Sequence, residues 1–110
     1  MDIVLKMSQA EEPFSFSFIN AEGQAVVKSE NYKAKKSALS GIESVKKNCL
    51  EDARYEMKES KNGKFFFNVK ASNGQVVGTS MLFATEADRS KAVAELKSGG
   101  PGAAVTEQSA

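Results

Sequence analysis

Histidine is absent from this chain of 110 residues. Histidine is the commonest general base and the commonest metal-binding side chain, so its absence excludes the usual way of activating a serine or cysteine nucleophile. A structural zinc site would also lack its ordinary cysteine and histidine ligands. We therefore expect a protein that is not an enzyme and that needs no metal or cofactor.

Cysteine and long apolar runs are scarce as well. The single cysteine, Cys49, excludes an internal disulfide framework and is compatible with a reducing compartment. The apolar start of the chain is too short for a signal peptide and is interrupted by Asp2 and Lys6. No apolar run approaches the roughly 20 residues that span a bilayer. These absences predict a cytoplasmic protein without a membrane contact, and the net charge of +1 provides no general attraction for nucleic acid.

The chain contains two tandem copies of one sequence repeat. A second copy follows the first at an offset of 51 residues without a gap. The identical pairs at this offset are Phe14/Phe65, Phe16/Phe67, Gly23/Gly74, Gln24/Gln75, Val26/Val77, Ser29/Ser80 and Lys46/Lys97. Internal repetition of this kind describes the architecture of a fold. We predict a single domain at 1–98, made of one repeat at 3–50 and a second at 53–98.

Each repeat has the pattern of three strands followed by a helix. Phenylalanine and serine alternate strictly from Phe14 to Phe18, which is typical of a strand with one buried face. The spacing of four apolar residues then predicts a helix at 35–48, with the last of the four just after its end: Ala38, Ile42, Val45 and Cys49. The fold class predicted is therefore α+β, with two tandem β-β-β-α repeats that share one largely antiparallel sheet of six or seven strands. Both helices are expected on one face of that sheet.

Turns and ends can also be predicted. A three-residue loop from Lys61 to Gly63 would pair Met57 with Phe67, whereas a two-residue Asn-Gly loop would mix apolar and polar side chains on one face. Thr85 is expected to cap the second helix, with Asp88 three residues later. The last residues, 99–110, are predicted as a mostly flexible tail, with a short strand at 103–107 as the alternative.

Four short motifs, of which one is the Asn73-Gly74 turn, resemble those of the YegP-like family, which comprises small prokaryotic proteins of unknown function. The other three are Ser29–Tyr32 before the first helix, Gly41–Lys46 within it, and Asn62–Asn68 in the second repeat. The resemblance covers about residues 3–98 and implies two three-strand-plus-helix units in one sheet, with an exchanged strand after each helix. It implies no activity, cofactor or site residue for this chain.

The candidate partner-binding residues are Lys64, Phe66 and Lys70. The alternation of Phe65 and Phe67 toward the helices places Phe66 on the opposite, open face of the sheet, between lysines. An aromatic side chain between lysines is typical of some single-stranded nucleic-acid platforms. In the alternative interpretation, Phe66 packs under the tail, in a second apolar cluster or in a dimer interface.

Two other residue types admit a chemical interpretation. Ser29 and Ser80 recur beside an aromatic residue and suggest a small hydrolase or transferase, but the structural alternative, a hydroxyl bonded to the backbone, is favoured because no histidine can activate them. Cys49 continues an apolar stripe and is predicted to be buried.

The function predicted is therefore a non-enzymatic interaction or ligand-binding module. Single-stranded nucleic-acid binding through the open face is the first alternative, and a small hydrolase or transferase is the second. Peptide binding at an exposed sheet edge is a third, which requires an unpaired edge that the sequence does not reveal. A monomer is expected, with a dimer as the alternative.

Overall fold

A computed structural model describes residues 1–109 of the chain. The strands are β1 (Asp2–Met7), β2 (Phe14–Ile19), β3 (Ala25–Lys28), β4 (Tyr55–Glu59), β5 (Phe65–Lys70), β6 (Val76–Ser80) and β7 (Ala104–Ser109). The helices are α1 (Lys35–Asn48) and α2 (Glu86–Gly99), and a short 3₁₀ turn at Asp52–Arg54 precedes β4. The element order is thus three strands and a helix, three strands and a helix, and a final strand.

All the strands belong to one seven-stranded sheet in the order β4-β5-β6-β3-β2-β1-β7. Every neighbouring pair is antiparallel except β1 and β7, which are parallel. β3 and β6 pair at the middle of the sheet, where Lys28 lies opposite Thr79. The α+β class and the largely antiparallel sheet predicted from the sequence are confirmed.

One apolar core joins the sheet to both helices. Phe16, Phe18 and Phe67 are almost completely buried, as expected for alternate positions of strands with one solvated face. The predicted stripe of α1 is buried in full, and α2 adds three residues: Ala92, Val93 and Leu96. Each fully buried large apolar side chain stabilises the fold by about 1.5–3 kcal/mol relative to an exposed one.

The turn between β4 and β5 has the length that the sequence predicts. Met57 pairs with Phe67 and Tyr55 pairs with Val69. Gly63 has a φ of 76°, a conformation that favours glycine because it lacks a Cβ. The three-residue loop from Lys61 to Gly63 is therefore confirmed.

The cap of α2 is also confirmed. The Thr85 hydroxyl oxygen accepts a hydrogen bond from the backbone N–H of Asp88 at 3.1 Å. This bond satisfies one of the N–H groups that the first turn of a helix leaves without a partner.

The register corrects one detail of the repeat. At an offset of 51, Tyr55 would be equivalent to Val4. In the sheet, however, Ile3 lies opposite Phe18 just as Tyr55 lies opposite Val69, so Tyr55 is equivalent to Ile3. The connection from β4 to β5 is one residue shorter than the connection from β1 to β2, and this moves the first strand of the second repeat by one position.

The final strand lies in the segment for which the sequence predicts a tail. β7 runs from Ala104 to Ser109 and pairs with β1 over its whole length, with Val105 opposite Ile3 and Glu107 opposite Leu5. Ala110 lies outside the described residues.

Candidate functional site

Phe66 lies on the face of the sheet opposite the helices. Its neighbour Phe67 and the following alternate residue Val69 are buried in the core, whereas Phe66, Asn68 and Lys70 are half-buried on the other face. Across the hairpin, Phe66 pairs with Lys58 of β4. The alternation along β5 therefore brings Phe66 and Lys70 to one face, which we call the open face.

The charge of Lys70 is not free. Lys70 Nζ lies 2.9 Å from Glu56 Oε2, and Asn68 donates a hydrogen bond of 2.9 Å to the other carboxylate oxygen of Glu56. The Asn68 side-chain oxygen in turn accepts a hydrogen bond of 2.8 Å from the Thr79 hydroxyl. The hydrogen bond from Asn68, followed by the one from Lys70, holds the pKa of Glu56 below its usual range. Lys58 adds a second cation at 3.9 Å from this carboxylate.

Lys64 lies in the turn just before β5. Its backbone N–H donates to the Ser60 hydroxyl at 3.1 Å, and its carbonyl accepts from the Ser60 N–H at 2.7 Å. These bonds close the hairpin and fix the backbone of Lys64, whose side chain is exposed. The structure thus places Phe66 and Lys70 on one strand and Lys64 at the start of that strand.

The two repeated serines have the same backbone partners in both repeats. The Ser29 hydroxyl accepts from the Phe16 N–H at 2.9 Å and donates to the Glu30 carbonyl at 2.7 Å. The Ser80 hydroxyl accepts from the Phe67 N–H at 2.9 Å, and its bond to the next carbonyl is 2.8 Å. Each hydroxyl proton is therefore used in a bond to the backbone. The arrangement matches the structural interpretation of these residues rather than that of an activated nucleophile.

Cys49 is completely buried, as predicted. Its thiol lies 3.4 Å from the carbonyl of Lys46 and 3.8 Å from that of Leu96 on the other helix. Burial raises the pKa of the Cys49 thiol, because the charged thiolate is poorly solvated in the core. The side chain is therefore part of the contact between the helices, and it lacks the properties of a reactive thiol.

An unpaired sheet edge is the feature that the sequence did not reveal. β4 is the outermost strand at one end of the sheet. Phe65 exchanges backbone hydrogen bonds with Phe83 on the side away from β4, so the pair of Phe65 with Glu59 is one without hydrogen bonds between its members. By the alternation of an antiparallel ladder, the backbone groups of Met57 and Glu59 point outward from the sheet.

A cleft of about 280 Å³ lies between the turn that joins β2 to β3 and the side of α2. Its lining includes Asn20, Glu22, Phe83, Asp88 and Glu95. The lining residues also include Lys91 but no serine, threonine or cysteine. Among residues 1–109, no group of three or more cysteine, aspartate or glutamate side chains could hold a metal ion, and neither helix is long and apolar enough to cross a membrane.

Sequence comparison finds the same unit twice. A family model described as a domain of unknown function (DUF1508) matches residues 10–56 and again residues 60–107. The chain is 51% identical over 94 residues to a UPF0339 protein in the ptx operon 5′ region of Stutzerimonas stutzeri, with 86% of this chain and 85% of that protein covered. It is 40% identical over 91 residues to the UPF0339 protein YegP of Escherichia coli, with 83% of each chain covered.

Solved structures of the same kind of protein superpose closely. The solution NMR structure of YegP from E. coli, a protein of unknown function, has a TM-score of 0.86 and 35% identity over 99% of this chain and 95% of that one. The solution NMR structure of a UPF0339 protein from Shewanella oneidensis has a TM-score of 0.87 and 31% identity, with 99% and 93% covered.

Proposed function

The chain belongs to the DUF1508 family, a family of YegP-like UPF0339 proteins of unknown function, and we propose that it is a non-enzymatic interaction module. The single observation that carries the proposal is Phe66, a large aromatic side chain that remains partly in water on the open face. The first repeat has Ser15 at the equivalent position, so the sheet does not need an aromatic residue there. Exposed aromatic residues are frequent at contact surfaces because they bring a large apolar area with few rotatable bonds.

The proposed contact surface is centred on Lys64, Phe66 and Lys70. The ring of Phe66 supplies apolar area, and Lys64 supplies an exposed charge at the start of the strand. Lys70 adds a charge that it shares with Glu56. The bonds of the two repeated serines to the backbone support a binding role over a hydrolase or transferase. We infer no cofactor.

The proposal includes the arrangement of the chain. We propose that the repeats at 3–50 and 53–98 form one domain, that both helices lie on one face, and that the strand after each helix is an exchanged strand. β4, after α1, lies at the far end of the second repeat, and β7, after α2, lies at the far end of the first. The shared core of α1, α2 and the sheet supports this arrangement. We further propose a monomer in the cytoplasm.

Single-stranded nucleic acid is the second candidate partner. The aromatic ring beside lysines favours it, because bases stack on such rings while cations contact the phosphates. The ion pair of Lys70 with Glu56 weakens it, since a lysine held by a carboxylate has less charge to offer a phosphate.

A photo-crosslinking experiment tests the interaction role. A photoreactive phenylalanine derivative is placed at position 66 of the full chain in bacterial cells, and a matched control carries it at Ser72, an exposed position in the turn between β5 and β6. We expect a discrete cross-linked species from position 66 and none from position 72. Equal labelling at both positions, or no product at position 66, would contradict the proposal.

An NMR titration with mixed single-stranded RNA and DNA at low salt tests the second candidate. Binding through the open face would shift the amide signals of residues 64–70 and would be lost in Phe66→Ala but not in Ser15→Ala. Glu56→Gln frees Lys70 and should strengthen such binding several-fold, because one more cation then faces the phosphates. Unshifted signals at low salt would remove nucleic acid as a partner.

A further inference from the structure

β1 and β4 are equivalent strands with different neighbours. Each is the first strand of a repeat and pairs in the same way with the second, with Ile3 of β1 and Tyr55 of β4 in equivalent places. The outer edge of β1 is covered by β7, which runs parallel to it. The outer edge of β4 is the end of the sheet. The fold therefore contains the same type of edge twice, once occupied and once open.

Equivalent side chains of β1 and β4 differ in their exposure to solvent. Leu5 of β1 is 3% exposed, and the equivalent Met57 of β4 is 50% exposed. Likewise, Ile3 is completely buried, whereas the equivalent Tyr55 is only half-buried. A strand added to β4 as β7 is added to β1 would cover Met57, and burying apolar surface is favourable.

The backbone of β4 is ready for such a strand. The N–H and C=O groups of Met57 and Glu59 point away from β5, so they are available to a strand on the outer side. Recognition of an extended peptide by an unpaired edge uses these main-chain groups for affinity and alternate side chains for specificity.

Charge specifies the added strand further. In β7, Val105 lies opposite Ile3, and Glu107, opposite Leu5, forms an ion pair with Lys35 at the start of α1. The second repeat has Glu86 at the position of Lys35, so this position provides no cation there. The nearest equivalent cation in the second repeat is Arg89, one helical turn later in α2. Arg89 of α2 donates a hydrogen bond of 3.0 Å to the carbonyl of Lys58, the residue after Met57. The Arg89 guanidinium also lies 5.3 Å from the centre of the Phe65 ring, so it would have to turn outward over β4 to pair with a carboxylate opposite Met57.

We propose that the outer edge of β4 binds an extended segment of a partner protein as an eighth, parallel strand. The segment has a β-branched apolar residue opposite Tyr55 and, two residues later, an acidic residue opposite Met57 that pairs with Arg89. The inference rests on the proposed interaction role, but it uses the edge of β4 rather than the open face around Phe66.

A synthetic peptide with the sequence of residues 103–109, acetylated and amidated, is the probe, because this sequence already pairs with the equivalent edge of β1. Titrated into the full-length protein, it should shift the amide signals of residues 55–59. A peptide with lysine in place of the glutamate should bind roughly twofold to fivefold more weakly, the range of an exposed ion pair. Arg89→Glu should reverse this preference between the two peptides.

Two substitutions at one position separate the backbone from the side chain. Met57→Pro removes an outward N–H, which an edge strand tolerates, and should weaken peptide binding more than tenfold. Met57→Ala keeps the N–H and should weaken binding only several-fold. The amide signals of Phe66 and Asn68 report whether the β4–β5 ladder is intact. If Met57→Pro does not fold, the charge reversal at Arg89 decides.

The remaining outcomes each overturn the inference. Peptide shifts confined to residues 2–7 would mean displacement of β7, and unshifted signals at residues 55–59 would mean a closed edge. Shifts at residues 55–59 that depend on protein concentration without peptide would identify a second copy as the occupant. Phe66→Ala should leave peptide binding unchanged. Failure here therefore leaves the open-face proposal standing, and the reverse also holds.

Discussion

Replacing Gly41 with alanine should destabilise the protein because of the Tyr32 hydroxyl. A methyl group at Gly41 would lie 2.7 Å from the hydroxyl oxygen of Tyr32 and 2.9 Å from Cε2 of Phe16. Both distances are shorter than a carbon atom tolerates, so the rings must move. Forcing an extra methyl group into a packed core costs about 1–3 kcal/mol. Alanine in place of glycine within a helix gives back up to about 1 kcal/mol.

The second repeat supplies the solution to the same packing problem. The equivalent of Gly41 is Ala92, and the equivalent of Tyr32 is Phe83, which has no hydroxyl. Phe83 stacks on Phe67 with ring centres 6.5 Å apart, compared with 6.3 Å for Tyr32 and Phe16. The loss of one oxygen and a slightly wider stack thus accompany the added methyl group.

A double-mutant cycle measures the coupling between these positions. Because the methyl group would clash with two rings, the overpacking cost should lie in the upper part of its range, about 2–3 kcal/mol. A helix gain of about 1 kcal/mol then leaves a net loss of about 1–2 kcal/mol in the free energy of unfolding. In a Tyr32→Phe background the contact with Phe16 remains, so the same change should cost about 1 kcal/mol less, which is a coupling of about 1 kcal/mol. Phe83→Tyr, made against Ala92, should destabilise the second repeat for the same reason.

Urea unfolding followed by circular dichroism provides these free energies, and thermal unfolding checks them, since 1 kcal/mol shifts the midpoint of a domain near this size by roughly 4–8 °C. Additive effects would refute the reasoning. If Gly41→Ala costs the same within about 0.5 kcal/mol whether or not Tyr32 has been changed, the hydroxyl is not what requires glycine.

Three further changes test other parts of the structure. A methyl group at Gly78 would clash with Val27 Cγ1, so Gly78→Ala should lower the free energy of unfolding in urea by about 1–3 kcal/mol, and Val27→Ala should relieve most of this loss; no relief would contradict this contact. Thr85→Ala removes the cap of α2 and should lower the free energy of unfolding by about 0.5–2 kcal/mol. An unchanged unfolding midpoint would show that the cap does not stabilise the protein. Because burial raises the pKa of its thiol, Cys49 should react with a thiol reagent at pH 8 only in urea, and fast labelling of the native protein would disprove its burial.

Local patterns sufficed to predict much of the fold. Three correctly predicted features each depend on a few neighbouring residues: the bounds of α1, the pairing of Met57 with Phe67 and the cap at Thr85. The spacing of apolar residues and their alternation between the two faces of a strand were enough to identify them. The face of Phe66 followed from the same alternation. The local sequence preferences for helices and turns thus agree with the fold, as expected for a sequence in which local and global preferences are consistent.

Features that depend on distant neighbours could not be predicted. The offset of 51 does not extend to the first strand of each repeat, because the loop between β4 and β5 is one residue shorter than the loop between β1 and β2. The offset therefore aligned Tyr55 with Val4 instead of Ile3. The parallel pairing of β7 with β1 joins the two ends of the chain, and it is what leaves β4 at the edge. The pairing of Lys70 with Glu56 required both the register and the side-chain conformations.

Differences between equivalent positions separate structural needs from surfaces left for a partner. Where Tyr32 and Gly41 become a phenylalanine and an alanine in the second repeat, each change compensates the other inside the core. Two other differences have no such compensation: Met57 is exposed where Leu5 is buried, and Phe66 stands where the first repeat has a serine. Met57 is exposed and Phe66 is half-buried, so a partner that covered them would gain by burying apolar surface. Both lie on the hairpin of β4 and β5, and we therefore expect partners to meet the protein there rather than on the first repeat.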